Sequence, residues 1–101
     1  MDTDNIIKQT RARFDHNRAK QVLKEKYEAK MLFAHAGGMW RAGPELLVLL
    51  NTVSTDTAVL LDEYSTPVQV TVAELREQVE QRWQEQMNGW LNEAEELRRQ
   101  R

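Results

Sequence analysis

The chain contains no cysteine and no long apolar segment, and each absence excludes certain classes of protein. Without thiols it forms neither disulfide bonds nor thiolate metal sites, so packing must hold it together. Its strongest apolar run, from Leu46 to Leu50, is far shorter than the roughly 20 residues that a membrane-spanning helix needs. The acidic start, Met1 to Asp4, lacks the apolar stretch of a secretory signal. We therefore expect a protein that has no membrane partner and is not secreted through a signal peptide.

Residue patterns for catalysis or metal binding are also missing. His16 and His35 are the two histidines, and neither has a second ligand three or four residues away, as a metal site on a helix would need. Gly37-Gly38 is too weak a signal for a phosphate-binding loop, and no Ser-His-Asp set is recognisable. Carboxylates are numerous, but they fall in a predicted turn or on polar helix faces and indicate no catalytic cleft. The sequence predicts a protein that is not an enzyme and has no catalytic, metal-binding or cofactor-binding residues.

Charge is plentiful but unevenly distributed. Charged residues make up 30% of the 101-residue chain, and 41% of the residues are hydrophobic, which is too many for a disordered chain. Residues 1–35 hold eight Lys or Arg and five Asp or Glu, whereas residues 36–101 hold six and eleven. The net charge of -2 therefore hides a basic first third and an acidic remainder. This division predicts that the first and last helices attract each other, within one chain or between chains.

The four glycines and two prolines divide the chain into a few elements. No glycine or proline interrupts the first helix before Gly37, and Pro44 suits the first turn of a second helix that is apolar all round. Thr71 to Glu74 has the form of a capping box, which predicts the start of the last helix. The sequence thus predicts one domain over residues 1–101, of the mostly α (α+β) class, with two long helices flanking a short buried helix and a small β-hairpin. The elements are a long helix over 4–36, a short helix over 44–51, a hairpin over 58–71 and a long amphipathic helix over 72–99.

The last helix carries one continuous apolar stripe, because its apolar residues recur every three or four positions. Tryptophan and methionine in this stripe, together with a second such pair in the glycine-rich connector, are residue types enriched in interface cores. They serve either as the domain's own core or as an interface, and a shared oligomer core would combine both. Gly89 is either a tolerated glycine or a place where another backbone approaches. The interface or core candidates are Met39, Trp40, Trp83, Met87, Trp90 and Leu97.

The first half of the first helix has little to bury on its own. A helix near 30 residues long spans about 45 Å, so both long helices should extend beyond a small core. Residues 4–20 are therefore expected to be either frayed or docked on another chain, and the candidate partner-binding arm consists of Ile7, Arg11, Phe14 and Arg18. Basic residues in this helix also permit contact with phosphates, but they spread around the helix instead of forming one face. Nucleic acid is therefore the less favoured partner.

Five short stretches give the chain a resemblance to a known group of proteins. They are residues 33–40, residues 43–46, residues 59–64, residues 67–70 and residues 86–90. Over residues 14–101 the chain resembles small proteins of contractile-tailed, T-even-like phages that infect marine cyanobacteria. The resemblance implies a viral origin, and a location in the host cytoplasm or the virion. It carries no activity over to any position of this chain.

These observations lead to two functional expectations. The first is a non-enzymatic interaction or assembly protein, a phage virion component or an assembly factor, that forms homo-oligomers through its long helices or joins other protein subunits. The second is a small phage regulator that binds a host protein or nucleic acid through the basic first helix.

Overall fold

A computed structural model describes residues 3–100, except for the side chain of residue 4, so residues 1, 2 and 101 of the predicted domain lie outside the described part. The mostly helical α+β class is confirmed, because two long helices flank a short helix and two small antiparallel hairpins. The elements in chain order are α1 (Thr3–Lys30), β1 (Leu32–His35), β2 (Gly38–Arg41), α2 (Pro44–Thr52), β3 (Thr57–Leu61), β4 (Pro67–Thr71) and α3 (Val72–Arg99).

The first helix is shorter than its sequence predicts. It was expected to continue to residue 36, but α1 ends at Lys30 and the following residues form the β1–β2 hairpin. The hairpin turns at Ala36 and Gly37, whose φ angles of 53° and 83° are both in the left-handed region that a two-residue hairpin turn of type I′ requires. Phe33 pairs directly with Trp40, and both are buried. Gly37 therefore makes a strand reversal and does not cap a helix.

The predicted hairpin over 58–71 is present as β3 and β4, with Thr57 opposite Thr71 and Leu61 opposite Pro67. Its side chains alternate between half-buried or buried positions, such as Leu60 and Val70, and exposed ones, such as Val59. This alternation is typical of a two-stranded sheet that packs one face on a core. The second hairpin thus covers one side of the molecule's core.

The short helix α2 is less buried than expected. Its run of five apolar residues predicts burial all round, but only Leu50 is fully buried, while Val48 and Leu49 remain exposed. The reason is that α2 packs chiefly against α3, so only one of its faces meets the core. The expectation of a short buried helix is corrected to a short helix buried on one side.

Helix α3 has the predicted bounds, but it begins differently from the predicted capping box. Thr71 is the N-cap residue and makes no side-chain capping bond. The backbone N–H of Val72 instead donates to the carbonyl of Asp56 at 2.9 Å. A backbone carbonyl from the loop before β3 therefore satisfies one of the amides that a helix start leaves unpaired.

The core lies at one end of a long molecule. Residues 3–100 span 66 × 24 × 21 Å, and the radius of gyration is 19.4 Å, against about 13 Å for a compact domain of this size. We call the hairpins, α2 and the first half of α3 the head, and we call α1 with the second half of α3 the stalk. The buried head core comprises Met31, Phe33, Trp40, Ala42, Leu50, Val70, Val72, Leu75 and Val79.

Replacing Leu75 with alanine tests the position of this core. Leu75 is fully buried, so Leu75→Ala should lower the free energy of unfolding by about 2–5 kcal/mol through lost burial and a residual cavity. Leu91→Ala is the matched control on the same helix, because Leu91 is 54% exposed, and it should cost less than about 1 kcal/mol. Urea unfolding followed by circular dichroism measures both, and equal losses would contradict the assigned core.

Candidate interaction site

The stalk is an antiparallel pair of helices joined along a narrow seam. The ring of Tyr27 in α1 stacks on Trp90 in α3, with centroids 5.9 Å apart and ring planes within 6°. One turn further along α3, Lys26 Nζ lies 2.7 Å from Glu93 Oε1. Nearer the end of α3, Leu97 faces Ala19 of α1 across the same seam. Residue numbers therefore rise along α3 as they fall along α1, which is the geometry of a helical hairpin.

Glu93 is the acidic residue of α3 that bonds to α1 across the seam. Its carboxylate accepts hydrogen bonds from Lys26 Nζ and from the hydroxyl of Tyr27. These bonds from Lys26 and Tyr27 hold the pKa of Glu93 below its ordinary value of 4.5, because they stabilise the charged carboxylate. The same bonds raise the pKa of Lys26 and the pKa of Tyr27, since each partner loses its bond when it gives up its proton.

Gly89 makes room for Tyr27. A Cβ atom at position 89 would lie 3.0 Å from the Tyr27 hydroxyl oxygen and 3.2 Å from its Cε1 atom. Of the two alternatives for this glycine, neither describes it fully, because its close neighbour is the Tyr27 side chain and not another backbone. A glycine in a helix interior costs about 1 kcal/mol relative to alanine, and here it permits the stacked ring to reach Trp90.

The predicted tryptophan and methionine set is divided between the head and the seam. Trp40 is 2% exposed, and its Nε1 donates to the carbonyl of His35 at 2.9 Å. Trp83 and Met87 are half-buried and pack on the head core, whereas Trp90 belongs to the seam. Most of the set thus serves the packing of a single chain.

Met39 has a different role through its backbone. Its N–H donates to Asp62 Oδ2 at 3.1 Å, and its carbonyl accepts the N–H of Glu63 at 2.7 Å. Asp62 also accepts the backbone N–H groups of Thr66 and Tyr64 at 2.9 Å each. Because the bonds from Thr66 and Met39 stabilise its charged form, the pKa of Asp62 is lowered. This carboxylate links the two hairpins.

Three of the predicted residues meet in one open groove, which we call the head groove. Trp40, Trp83 and Trp90 line it together with Leu46, and its volume is about 580 Å³. Charged side chains also line it: Glu28, Glu45, Asp62 and Glu63, together with Arg41, whose Nε atom lies 3.1 Å from Glu63 Oε1. The groove therefore presents an apolar, aromatic surface beside four carboxylates and one guanidinium, while Met39, Met87 and Leu97 do not line it.

The predicted arm lies at the opposite end of the molecule from the head. The last turn of α3 lies beside residues 12–19 of α1, so the first turns of α1 extend beyond the seam. Ile7 is 46% exposed and Phe14 is 65% exposed, and Arg11 and Arg18 are exposed as well. At 100° per residue, these four side chains lie on one side of α1, and Arg18 also lines the groove in which Leu23 lies beside Glu93 of α3.

This exposed side continues further than the sequence prediction recognised. Val22, Glu25 and Ala29 extend it at spacings of three or four residues, and all three are exposed. We call the complete set the outer stripe: Ile7, Arg11, Phe14, Arg18, Val22, Glu25 and Ala29. The alternating spacing of three and four is the signal that could have revealed it, because that spacing describes one continuous helix face.

The described residues contain neither a cluster of metal ligands nor a membrane-spanning helix. Among residues 3–100 there is no group of three or more His, Asp or Glu side chains placed to hold a metal ion. Within the same residues, no helix has the length and apolar character needed to cross a membrane. Comparison of the chain with family models, with curated proteins and with solved structures found no match.

Acid titration should reveal the contribution of Glu93. The lowered pKa of Glu93 means that its contribution to stability is complete above its unfolded-state pKa and is lost as the pH falls through its folded-state pKa. Glu93→Gln should therefore lower the melting temperature at pH 7, and the difference from the unmodified protein should shrink toward pH 3. Thermal unfolding at several pH values measures this effect.

Glu96→Gln is the control for that titration, because Glu96 is an exposed carboxylate one turn along the same helix. It should leave the melting temperature at pH 7 almost unchanged. A difference between Glu93→Gln and the unmodified protein that stays constant from pH 7 to pH 3 would show that the charged carboxylate of Glu93 is not what joins the two helices.

Proposed function

We propose that this protein is a non-enzymatic assembly protein that self-associates through its long helices. The observation that carries the proposal is the outer stripe, a face of α1 on which Ile7, Phe14 and Val22 are 46%, 65% and 58% exposed. None of the three belongs to the core of the described residues. An apolar stripe at helical spacing that the chain leaves in solvent is typical of a surface that meets another helix.

The arm is consistent with this proposal because the helix that carries it has little packing within the chain. Most helical stability in proteins comes from packing of an amphipathic face, and a segment without such packing is marginal in water. The seam with α3 supports α1 from about residue 12 onward, and the first turns lie beyond it. Burial of Ile7 or Phe14 against a partner would contribute about 1.5–3 kcal/mol for each side chain. Association would thus stabilise the part of α1 that has the least support within the chain.

The distribution of charge favours contact between copies of this chain. The outer stripe carries Arg11 and Arg18 in its first half and Glu25 in its second half. Opposite charges on one face allow that face to complement itself when two copies meet. In the phage setting that the resemblance implies, such a protein would be a virion component or an assembly factor, and that setting stays a prediction.

A second candidate function rests on the same arm. Arg11, Arg13 and Arg18 are exposed, and among residues 3–100 none of the three takes part in an ion pair. They are therefore available to phosphates or to an acidic host protein. A regulator that binds nucleic acid or a host protein through α1 is the alternative that these free cations support.

Light scattering across a concentration series tests self-association. The molar mass should rise from 11.8 kDa toward twice that value as the concentration increases. Phe14→Ser should raise the dissociation constant at least about tenfold, because it removes a buried ring from each copy. Leu91→Ser is the control, since Leu91 is a similarly exposed apolar residue on α3. A monomer at every concentration would overturn the proposal.

Titration with DNA and RNA at low and high salt tests the alternative. If α1 binds phosphates, affinity should fall as salt rises, and the triple variant Arg11→Glu, Arg13→Glu, Arg18→Glu should lose binding. The double variant Arg98→Glu, Arg99→Glu, which changes charge on α3, should retain most of it. Absence of binding at low salt would remove nucleic acid from the list of partners.

A further inference from the structure

The residues of the outer stripe can determine the orientation and the register in which two copies pack. Its seven residues follow one another at spacings of four, three, four, four, three and four, so all of them lie within about 80° of the circumference of α1. Two such stripes can pack along each other over most of the helix. The order of apolar and charged residues then decides between parallel and antiparallel packing.

Parallel packing in register opposes identical residues. Arg11 would face Arg11, Arg18 would face Arg18 and Glu25 would face Glu25, so every charged position of the stripe would meet its own charge. Like charges that face each other across an interface are destabilising. The stripe therefore disfavours a parallel dimer.

Antiparallel packing has one register that uses the whole stripe. When Phe14 of one copy faces Val22 of the other, Arg11 faces Glu25, and Ile7 faces Ala29. Arg18 faces Arg18 of the other copy across the twofold axis, and this is the one contact between like charges on the stripe in this register. Each apolar residue of the stripe then meets an apolar residue, and each Arg11 meets a carboxylate.

The neighbouring antiparallel registers are worse. A shift by one heptad in one direction places Arg11 against Arg18 at two symmetric positions and leaves Glu25 with no stripe residue opposite it. A shift in the other direction leaves Ile7 and Arg11 beyond the end of α1 at Lys30. Glu25 is also held in place on the stripe, because Gln21 Nε2 donates to its Oε1 atom at 3.2 Å. The two Arg11–Glu25 pairs and the length of the overlap together favour the register in which Phe14 faces Val22. The register that leaves out Ile7 and Arg11 would pair Arg18 with Glu25 over a shorter interface.

From this complementarity, and resting on the proposed self-association, we infer that the partner is a second copy of this chain, bound antiparallel along the outer stripe of α1 with Arg11 of each copy paired to Glu25 of the other. The occupant is a second copy because, in this register, each apolar residue of the stripe meets an apolar residue and each Arg11 meets a Glu25, with Arg18 at the twofold axis as the exception.

A charge-exchange experiment tests this register. Dissociation constants of the full chain are measured by sedimentation equilibrium for Arg11→Glu, for Glu25→Arg and for the double variant. Each single change should raise the dissociation constant at least about tenfold, because it places like charges together at two symmetric positions. The double variant should return to within about threefold of the unmodified protein. Arg13→Glu is the matched control, since it makes the same charge change off the stripe and should have little effect.

Cross-linking tests the orientation independently. Since the chain has no cysteine, Arg18→Cys introduces one thiol per copy, and a short bis-maleimide should link the two copies near the twofold axis. Ile7→Cys should not link, because the two positions would be about 33 Å apart along the helices. Linking of Ile7→Cys would indicate a parallel dimer and overturn the inference.

The outcomes separate this inference from the proposed function. If the unmodified protein is monomeric at every concentration, the proposed function fails and the inference fails with it. If the protein dimerises but Arg11→Glu has no effect, or the double variant does not recover, only the inferred register is overturned. Recovery by Arg18→Glu combined with Glu25→Arg would identify the shifted register in its place. Circular dichroism verifies that each variant keeps its helices.

Discussion

The attachment of α1 to the rest of the molecule depends on Tyr27, whose ring lies on Trp90 while its hydroxyl donates to Glu93. Helix α1 has few apolar residues directed at α3, so one large aromatic side chain supplies much of its contact. Aromatic stacking and a charge-assisted hydrogen bond act on the same side chain, and Lys26 adds an ion pair to the same carboxylate. The largest contact between α1 and α3 therefore lies near the head. The side chains that join the two helices become smaller toward the arm.

The core and the exposed stripe lie on different parts of the molecule, and this separation gives the protein its shape. The hairpins bury Phe33, Trp40 and Val70 against Leu75 and Val79 of α3 at one end. That core stabilises the head, and the first turns of α1 take no part in it. A chain of this size that placed both long helices around its core would be compact, whereas this one is 66 Å long. The length exposes a helix face that a compact domain would bury.

Sequence patterns predicted the elements whose signals are local. The apolar stripe from Val72 to Leu97 gave the bounds of α3, and β-branched residues around a polar turn indicated the second hairpin. The first hairpin was missed because Leu32 to His35 is compatible with a continuing helix. Its formation depends on pairing Phe33 with Trp40 and on left-handed backbone at Ala36, neither of which periodicity reveals.

The candidate site was likewise predictable from the sequence only where its features are local. Spacing alone placed Ile7, Arg11, Phe14 and Arg18 together on α1, because a helix face is a local property. The bond between Tyr27 and Glu93 joins residues 66 positions apart, and the sequence contains no signal for it. Which tryptophans lie in the core and which in the seam likewise depends on how α1 and α3 meet.

Unequal support along α1 has a consequence for how the protein opens. We expect amide groups near Tyr27 to exchange with solvent more slowly than amides in the first turns of α1, because the seam covers only the former. The chain therefore contains two cooperative units of different stability on one continuous helix. Fluctuations that unwind the arm leave the head folded, so the end that presents the outer stripe can reorganise on contact while the other end keeps its shape.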